Sequence, residues 1–274
     1  MKKNNNRVKK YIKDVVEMTR KPVMSVLPGQ LSFFLLLSLI PIILIIGVIS
    51  SIFSVSTSGI INFITSNFPA DTSRLLIPLL SGRGLDYNIM FLMISALLLV
   101  SKGTRSIMRV ASIIYDAEDK NTIREIIKSF ILAILLTLLI AFIIIIPVLS
   151  GKVLNFLHNF KVISSLTDNI IFIFNLLKWP ISIFIIFINL KIIYTISPNR
   201  KIKSKSVNKG AMFTTILWSV STSIYSLYIT HLSSYSILYG SASNIIVLML
   251  WIYLISYIFV LGMSINANNL KTKD

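Results

Sequence analysis

Few groups in this chain of 274 residues could make or break bonds. Its ten carboxylates are Asp14, Glu17, Asp71, Asp86, Asp116, Glu118, Asp119, Glu125, Asp168 and Asp274. Only Asp116, Glu118 and Asp119, with Glu125 a few residues on, are close enough in sequence to share a metal pair. Such a pair could activate water for phosphodiester cleavage. The same stretch is crowded by Arg105, Arg109, Lys120 and Arg124, so salt bridges at a helix turn explain these acids more simply. His158 and His231 show no HExxH-type spacing. The chain has no cysteine, which removes disulfides, thiolate metal sites and thiol nucleophiles. GxSxG, P-loop and GxGxxG patterns are missing, so neither hydrolase nor nucleotide-driven chemistry has support. The reading assigns no catalytic residue, no metal and no cofactor.

Polar residues embedded in apolar runs are the more informative set. Asn175, Ser182 and Asn189 recur every seven residues, and Trp218, Thr222 and Tyr225 share one helical face. In the last apolar run, Asn244, Trp251, Ile255, Gly262 and Asn266 recur at steps of seven, four, seven and four, again one face. Two chemistries fit these stripes. One is hydrogen bonding between packed membrane helices, worth about 0.6 kcal/mol per contact. The other is a polar-lined cavity able to hold an amphiphile's headgroup or a small solute. The stripes predict a polar cavity or interhelix face at Asn175, Ser182, Asn189, Trp218, Thr222, Tyr225, Asn244, Trp251, Gly262 and Asn266.

The elements that carry these residues are membrane helices. The chain is 55% hydrophobic and only 14% charged, against about 25% charged in a soluble domain; its mean hydropathy is +0.82. Apolar runs long enough to cross about 30 Å of hydrocarbon place spans at about Leu31–Phe53, Ile89 to beyond Val100, Ser129–Leu149, Pro180–Ile196, Ala211–Ile229 and Tyr239–Asn269. In the first span Pro41 removes a backbone hydrogen bond, and Ser38 is placed to re-satisfy the freed backbone at the kink. Pro180 is read as opening the fourth span, a favoured place for proline. Residues 55–88 and 150–168 hold shorter apolar pieces, expected to be interfacial helices on the outer side.

Residues 1–30 form a basic arm in which Val8, Tyr11, Ile12, Val15 and Thr19 share a face. Lys9, Lys10 and Lys13 would lie on the membrane surface as part of an amphipathic helix. Residues 31–270 form the six-helix membrane domain and 271–274 a tail. Lys and Arg number eight before the first span, two after it and six from Lys102 to Lys128. Two follow between Gly151 and Asp168, five from Arg200 to Lys209, none after the fifth span and two in the tail. That alternation places both termini in the cytoplasm under the positive-inside bias. The formal charge of +17 is thus spread over separate loops, not gathered into a stripe with interleaved aromatics, and nucleic acid is not expected as a partner. The fold class is all-α, a polytopic membrane protein with membrane lipids as partners.

The order of short motifs resembles the YihY/BrkB family of six-helix bacterial membrane proteins, once called ribonuclease BN. The likeness runs through Ser38-Leu39-Ile40-Pro41, Ser101-Lys102-Gly103, Tyr115-Asp116-Ala117-Glu118, Trp179-Pro180, Tyr194 and Pro198. It continues through Gly210-Ala211, Trp218, Tyr225, Tyr228, Tyr239-Gly240-Ser241, Trp251-Ile252-Tyr253, Gly262 and Ile265-Asn266-Ala267. Ile40 stands where the family commonly has Phe, and Ser264 where it often has Glu. The resemblance implies a cytoplasmic-membrane protein linked to virulence, envelope lipid export or transport. The reading that results is a non-ATPase transporter or lipid-handling protein with a cavity among its helices. Its alternative is a scaffold whose basic arm recruits a partner or anionic lipid, and a ribonuclease stands last because the acids and histidines do not support one.

Overall fold

The structure is a computed structural model. It describes residues 16–17, 19–20, 22–52, 58, 61–62, 65, 73–74, 77, 87–117, 123–138, 167–231 and 242–271. Lys9, Lys10, Lys13, His158, Glu118, Asp119 and most of the expected outer segments lie outside these. Every regular element among the described residues is helical: α1 (Val23–Ile52), α2 (Tyr87–Tyr115), α3 (residues 123–138), α4 (Thr167–Ile196), a short 3-10 turn at Ser204–Val207, α5 (Asn208–His231) and α6 (Ala242–Lys271). Helices α1, α4 and α6 each have 30 residues, about 45 Å at the α-helical rise. Within α6, Ile246–Leu270 is long and apolar enough to cross a membrane. Met24–Ser38 and Pro180–Ile196 are shorter apolar stretches.

Two proline expectations change. Pro180 does not open a helix; α4 begins at Thr167 and carries Pro180 inside it. A proline removes one intrahelical bond, and the rest of this long apolar helix supports the turn around it. The backbone of α1 likewise runs through Pro28 and Pro41. The Ser38 hydroxyl donates to the Leu35 carbonyl at 2.8 Å, not to that of Leu37, the partner Pro41 forgoes. Ser38 instead marks a close crossing, because a Cβ on Gly103 of α2 would sit 3.3 Å from the Phe34 carbonyl oxygen and 3.5 Å from the Ser38 hydroxyl.

The helices pack antiparallel along the chain. Thr104 of α2 lies with its hydroxyl 2.7 Å from the Ser129 carbonyl of α3, and Met24 of α1 lies beside Ser264 of α6. Asn199, in the bend after α4, donates to Glu125 at 2.8 Å, while Lys128 donates to the Pro198 carbonyl at 3.0 Å. These contacts bring the start of α1, the end of α2, the start of α3, the end of α4, the start of α5 and the end of α6 to one end of the bundle. Burial, followed by the nearby Arg124, lowers the Lys128 pKa, with Glu125 opposing. Outward faces are apolar, as with Ile127, Ile131 and Ile134 on α3 and Ile224 and Leu227 on α5. The interior is rich in hydroxyls, with Ser101, Thr104, Ser129, Thr214 and Ser256 all at or below 2% exposure. Apolar outside and small or polar between helices is the pattern expected of a lipid solvent.

Helix α2 ends in a turn that gives Asp116 a role other than metal binding. Asp116 has φ of 53°, the left-handed conformation that glycine usually supplies at a helix C-terminus. The Ala117 amide donates to the Ser112 carbonyl at 2.9 Å and the Asp116 amide to Ile113 at 3.4 Å, the two bonds of a Schellman stop. Asp116 is exposed, and Glu125 is engaged by Asn199. No group of three His, Asp or Glu that could hold a metal occurs among the described residues. Asp116→Gly is expected to stabilise the protein by about 0.5–1 kcal/mol, since the turn needs left-handed φ and not a carboxylate. Thermal unfolding followed by tryptophan emission checks this; a marked loss of stability would restore a ligating role for the carboxylate.

Candidate functional site

The α5 and α6 stripes meet the end of α4 at Tyr194. Gly210 near the start of α5 and Gly262 on α6 press their backbones together. A Cβ on Gly210 would overlap the Gly262 carbonyl oxygen and the Asn266 amide, and one on Gly262 would overlap the Thr214 hydroxyl and sit 2.8 Å from that of Tyr194. Small residues four apart, Gly210 with Thr214 on one helix and Gly262 with Asn266 on the other, allow this approach. Around it, Asn266 accepts from the Gly210 amide at 2.7 Å. The Tyr194 hydroxyl lies 2.8 Å from both the Thr214 hydroxyl and the Phe259 carbonyl. One turn further along, Trp218 donates to the Ile255 carbonyl at 2.9 Å.

An aromatic ladder continues the seam. The Phe259 ring lies 4.8 Å from that of Tyr194 and 6.2 Å from that of Trp218, and Tyr225 stacks on Trp251 at 4.9 Å and 23°. Trp218, Tyr225, Trp251, Gly262 and Asn266 lie on the α5–α6 seam. The Trp218 indole and the Asn266 carbonyl oxygen bond across it, while the Tyr225 hydroxyl, the Trp251 indole nitrogen and the Asn266 amide nitrogen on the same seam have no partner among the described residues. Thr222 is not part of it: this residue is exposed, on the flank away from buried Ser221. Asn189 donates back to the Ile185 carbonyl of its own helix at 3.0 Å, and Ser182 is half-buried on α4. Asn175 and Asn244 lie on α4 and α6, with side chains outside those described. Sequence reasoning left Tyr194 and Thr214 out of the polar set. The two small-residue pairs at four-residue spacing were the available signal.

A second group of polar atoms lacks any hydrogen-bond partner among the described residues. It comprises the hydroxyls of Ser106, Ser112, Tyr115, Ser197 and Ser256, and the Asn266 amide nitrogen, with Tyr225 and Trp251 further along the seam and the half-buried Asn208 side-chain oxygen at the start of α5. All six residues in the first group are nearly or fully buried, from Ser112 at 7% to Ser197, Ser256 and Asn266 at 0%. Burial raises the pKa of the Tyr115 hydroxyl, favouring its neutral form. Tyr115, Ser112, Ser197 and Asn266 belong to the end of the bundle that carries the basic loops. Ser106 and Ser256 lie about two turns or more further in on α2 and α6, which pack against each other. An unmet buried polar atom costs about 1–3 kcal/mol, so a run of them marks an interior suited to water or a polar group.

Comparison with known proteins gives the arrangement a family. The model described as Virulence factor BrkB matches residues 16–273. The ribonuclease-like protein YfkH of Bacillus subtilis is 29% identical over 245 residues, 87% of each chain. A UPF0761 membrane protein of Vibrio atlanticus is 29% identical over 258 residues, 87% of this chain and 75% of its own. The UPF0761 membrane protein PSHAa0171 of Pseudoalteromonas translucida is 32% identical over 96 residues, 35% of this chain and 31% of its own. No solved structure matches. With a match across nearly its whole length, and with its helical membrane character, this chain belongs to the Virulence factor BrkB family.

Proposed function

We propose that this is a six-span protein of the cytoplasmic membrane, with both termini cytoplasmic, that moves or reorients an amphiphile such as an envelope lipid without hydrolysing ATP. The observation that carries the reading is the run of partnerless polar atoms from Tyr115, Ser197 and Asn266 inward to Ser106 and Ser256. Polar groups buried among membrane helices can mark substrate pathways, and Tyr115, Ser197 and Asn266 lie at the end of the bundle where Arg200, Lys201, Lys203, Lys205 and Lys209 stand. That clustering of cations supports the cytoplasmic assignment of this end. The Gly210–Gly262 crossing is the fixed wall of such a path and not the path itself, because its polar atoms are largely satisfied by each other.

The test is transbilayer redistribution of a fluorescent anionic phospholipid in sealed proteoliposomes, read by quenching from outside. Protein-containing vesicles are expected to redistribute lipid at least tenfold faster than empty ones, with Ser256→Val slowing the rate several-fold at unchanged thermal stability. Absence of both lipid movement and flux of a small polar solute would overturn the transport reading and leave the scaffold. In that case charge reversal at Lys9, Lys10 and Lys13 would abolish function while Asn266→Leu would not.

A further inference from the structure

Helix α2 carries one stripe to the outside along its described length. Phe91, Ile94, Leu98, Lys102, Arg105 and Arg109 follow at steps of three or four residues and all six are exposed. Phe91 reaches 72%, Ile94 58% and Leu98 51%. The opposite face, with Val100, Thr104, Val110 and Ala111 at 0%, is packed into the bundle. The stripe is apolar from Phe91 to Leu98 and cationic from Lys102 to Arg109, and beyond the cations it ends on Ile113, 49% exposed, and exposed Asp116. Phe91 to Lys102 spans about 16 Å of helix, close to one leaflet's share of a hydrocarbon core of about 30 Å.

Glu118 and Asp119 of the acidic turn lie outside the described residues, and among the described residues the three cations make no ion pair or hydrogen bond. Their height is fixed by the Thr104–Ser129 contact. At that height antiparallel α3 presents Ile127 and Ile131 outward, at 57% and 43% exposure. Cations level with outward-facing isoleucines stand at the edge of the hydrocarbon, where hydration is poor and an anionic group gains most from them.

From this stripe we infer a binding site for an anionic phospholipid of the cytoplasmic leaflet, its phosphate on Lys102, Arg105 and Arg109 and an acyl chain along Phe91, Ile94 and Leu98. The geometry commits to a lipid over a free phosphate, because the apolar half has the length of an acyl chain and runs straight into the charged half. Arginine adds planar, two-toothed hydrogen bonding to phosphate. The site rests on the membrane reading above but not on transport: lipid can bind here whether or not it crosses.

Purified full-length protein in neutral detergent is titrated with phosphatidylglycerol, phosphatidylcholine or glycerol phosphate, with native mass spectrometry counting retained lipid and tryptophan emission following thermal unfolding. Wild type is expected to retain phosphatidylglycerol at least fivefold over phosphatidylcholine. Lys102→Gln/Arg105→Gln/Arg109→Gln should lose that preference, while Lys201→Gln/Lys203→Gln/Lys205→Gln, which removes the same charge from the exposed loop, should keep it. Phe91→Ser/Leu98→Ser should weaken both lipids. Should the α2 triple variant not fold, photo-crosslinking of wild type by a headgroup-labelled phosphatidylglycerol decides, with adducts expected within residues 91–109. Equal retention of the two lipids, equal loss in both triple variants, or competition by glycerol phosphate as strong as by the lipid would overturn the site. So would adducts confined elsewhere, or a change of oligomeric state in the α2 variant that marks the stripe as a contact between copies. Selective retention without redistribution in vesicles would leave this site standing and remove only the transport reading.

Discussion

Gly210→Ala is expected to destabilise the protein by about 3 kcal/mol or more, the upper end of overpacking costs. The new methyl would overlap the Gly262 carbonyl oxygen, which belongs to the backbone of α6 and cannot rotate away. Relief requires α5 and α6 to separate, which lengthens the Asn266–Gly210 bond and loosens Trp218 from Ile255. Gly262→Ala meets chiefly side chains, the Thr214 and Tyr194 hydroxyls, with the Gly210 carbonyl oxygen at 3.0 Å. Its cost should therefore fall in the double variant Gly262→Ala/Thr214→Ala, whereas Thr214→Ala should do little for Gly210→Ala. Residues in contact couple in this way by about 0.5–3 kcal/mol. Thermal unfolding in detergent reads the effect; the chain has three tryptophans, and two of them, Trp218 and Trp251, sit on the affected seam. Equal and additive losses in all three comparisons would refute a backbone-to-backbone crossing.

Tyr194→Ala should rank close behind, at about 3–5 kcal/mol, the usual cost of deleting a buried aromatic side chain. Tyr194 is fully buried and ties all three helices together: it lies on α4, and its hydroxyl is shared between Thr214 of α5 and the Phe259 carbonyl of α6. Tyr194→Phe separates packing from hydrogen bonding. It keeps the ring against Phe259 and forfeits only the hydroxyl's bonds, so about 1–1.5 kcal/mol is expected. Part of that loss is softened because Thr214 keeps a long 3.5 Å contact to the Ile258 carbonyl. A Phe variant as unstable as the Ala variant would mean that the hydroxyl, and not the ring, anchors α4.

Much of this bundle is legible in the sequence. Steps of seven and four residues identified the α6 face because a helix that touches a neighbour along its whole length must keep one stripe small or polar. The continuation of α2 past Lys102 was legible because its buried face stays regular through Ala111 and Tyr115. Thr222 failed for a physical reason: spacing fixes the direction of a side chain but not the width of the buried stripe, and Thr222 falls just past its margin. Pro180 failed because a local preference for the first turn is a matter of one hydrogen bond, which a long packed helix overrides. The partnerless set could not be read at all. Serines along a span look alike in sequence, and only packing separates Ser219, bonded to the Thr215 carbonyl, from Ser256, without a partner among the described residues.

The contact of Met24 with Ser264, 240 residues apart, bears on how the protein is made. Helix α1 leaves the ribosome early, yet Met24, Leu27 and Leu31 are buried at 2%, 5% and 1% partly against helix α6. At roughly 5–20 residues per second that partner arrives on the order of ten to fifty seconds later. Until then α1 has α2 for cover, through the close approach at Gly103, and one seam stays open to the lipid. Biogenesis would thus proceed as an early hairpin that waits for a late seal. A chain interrupted before α6 is synthesised would display an unfinished seam to the proteases that survey the membrane for incomplete products.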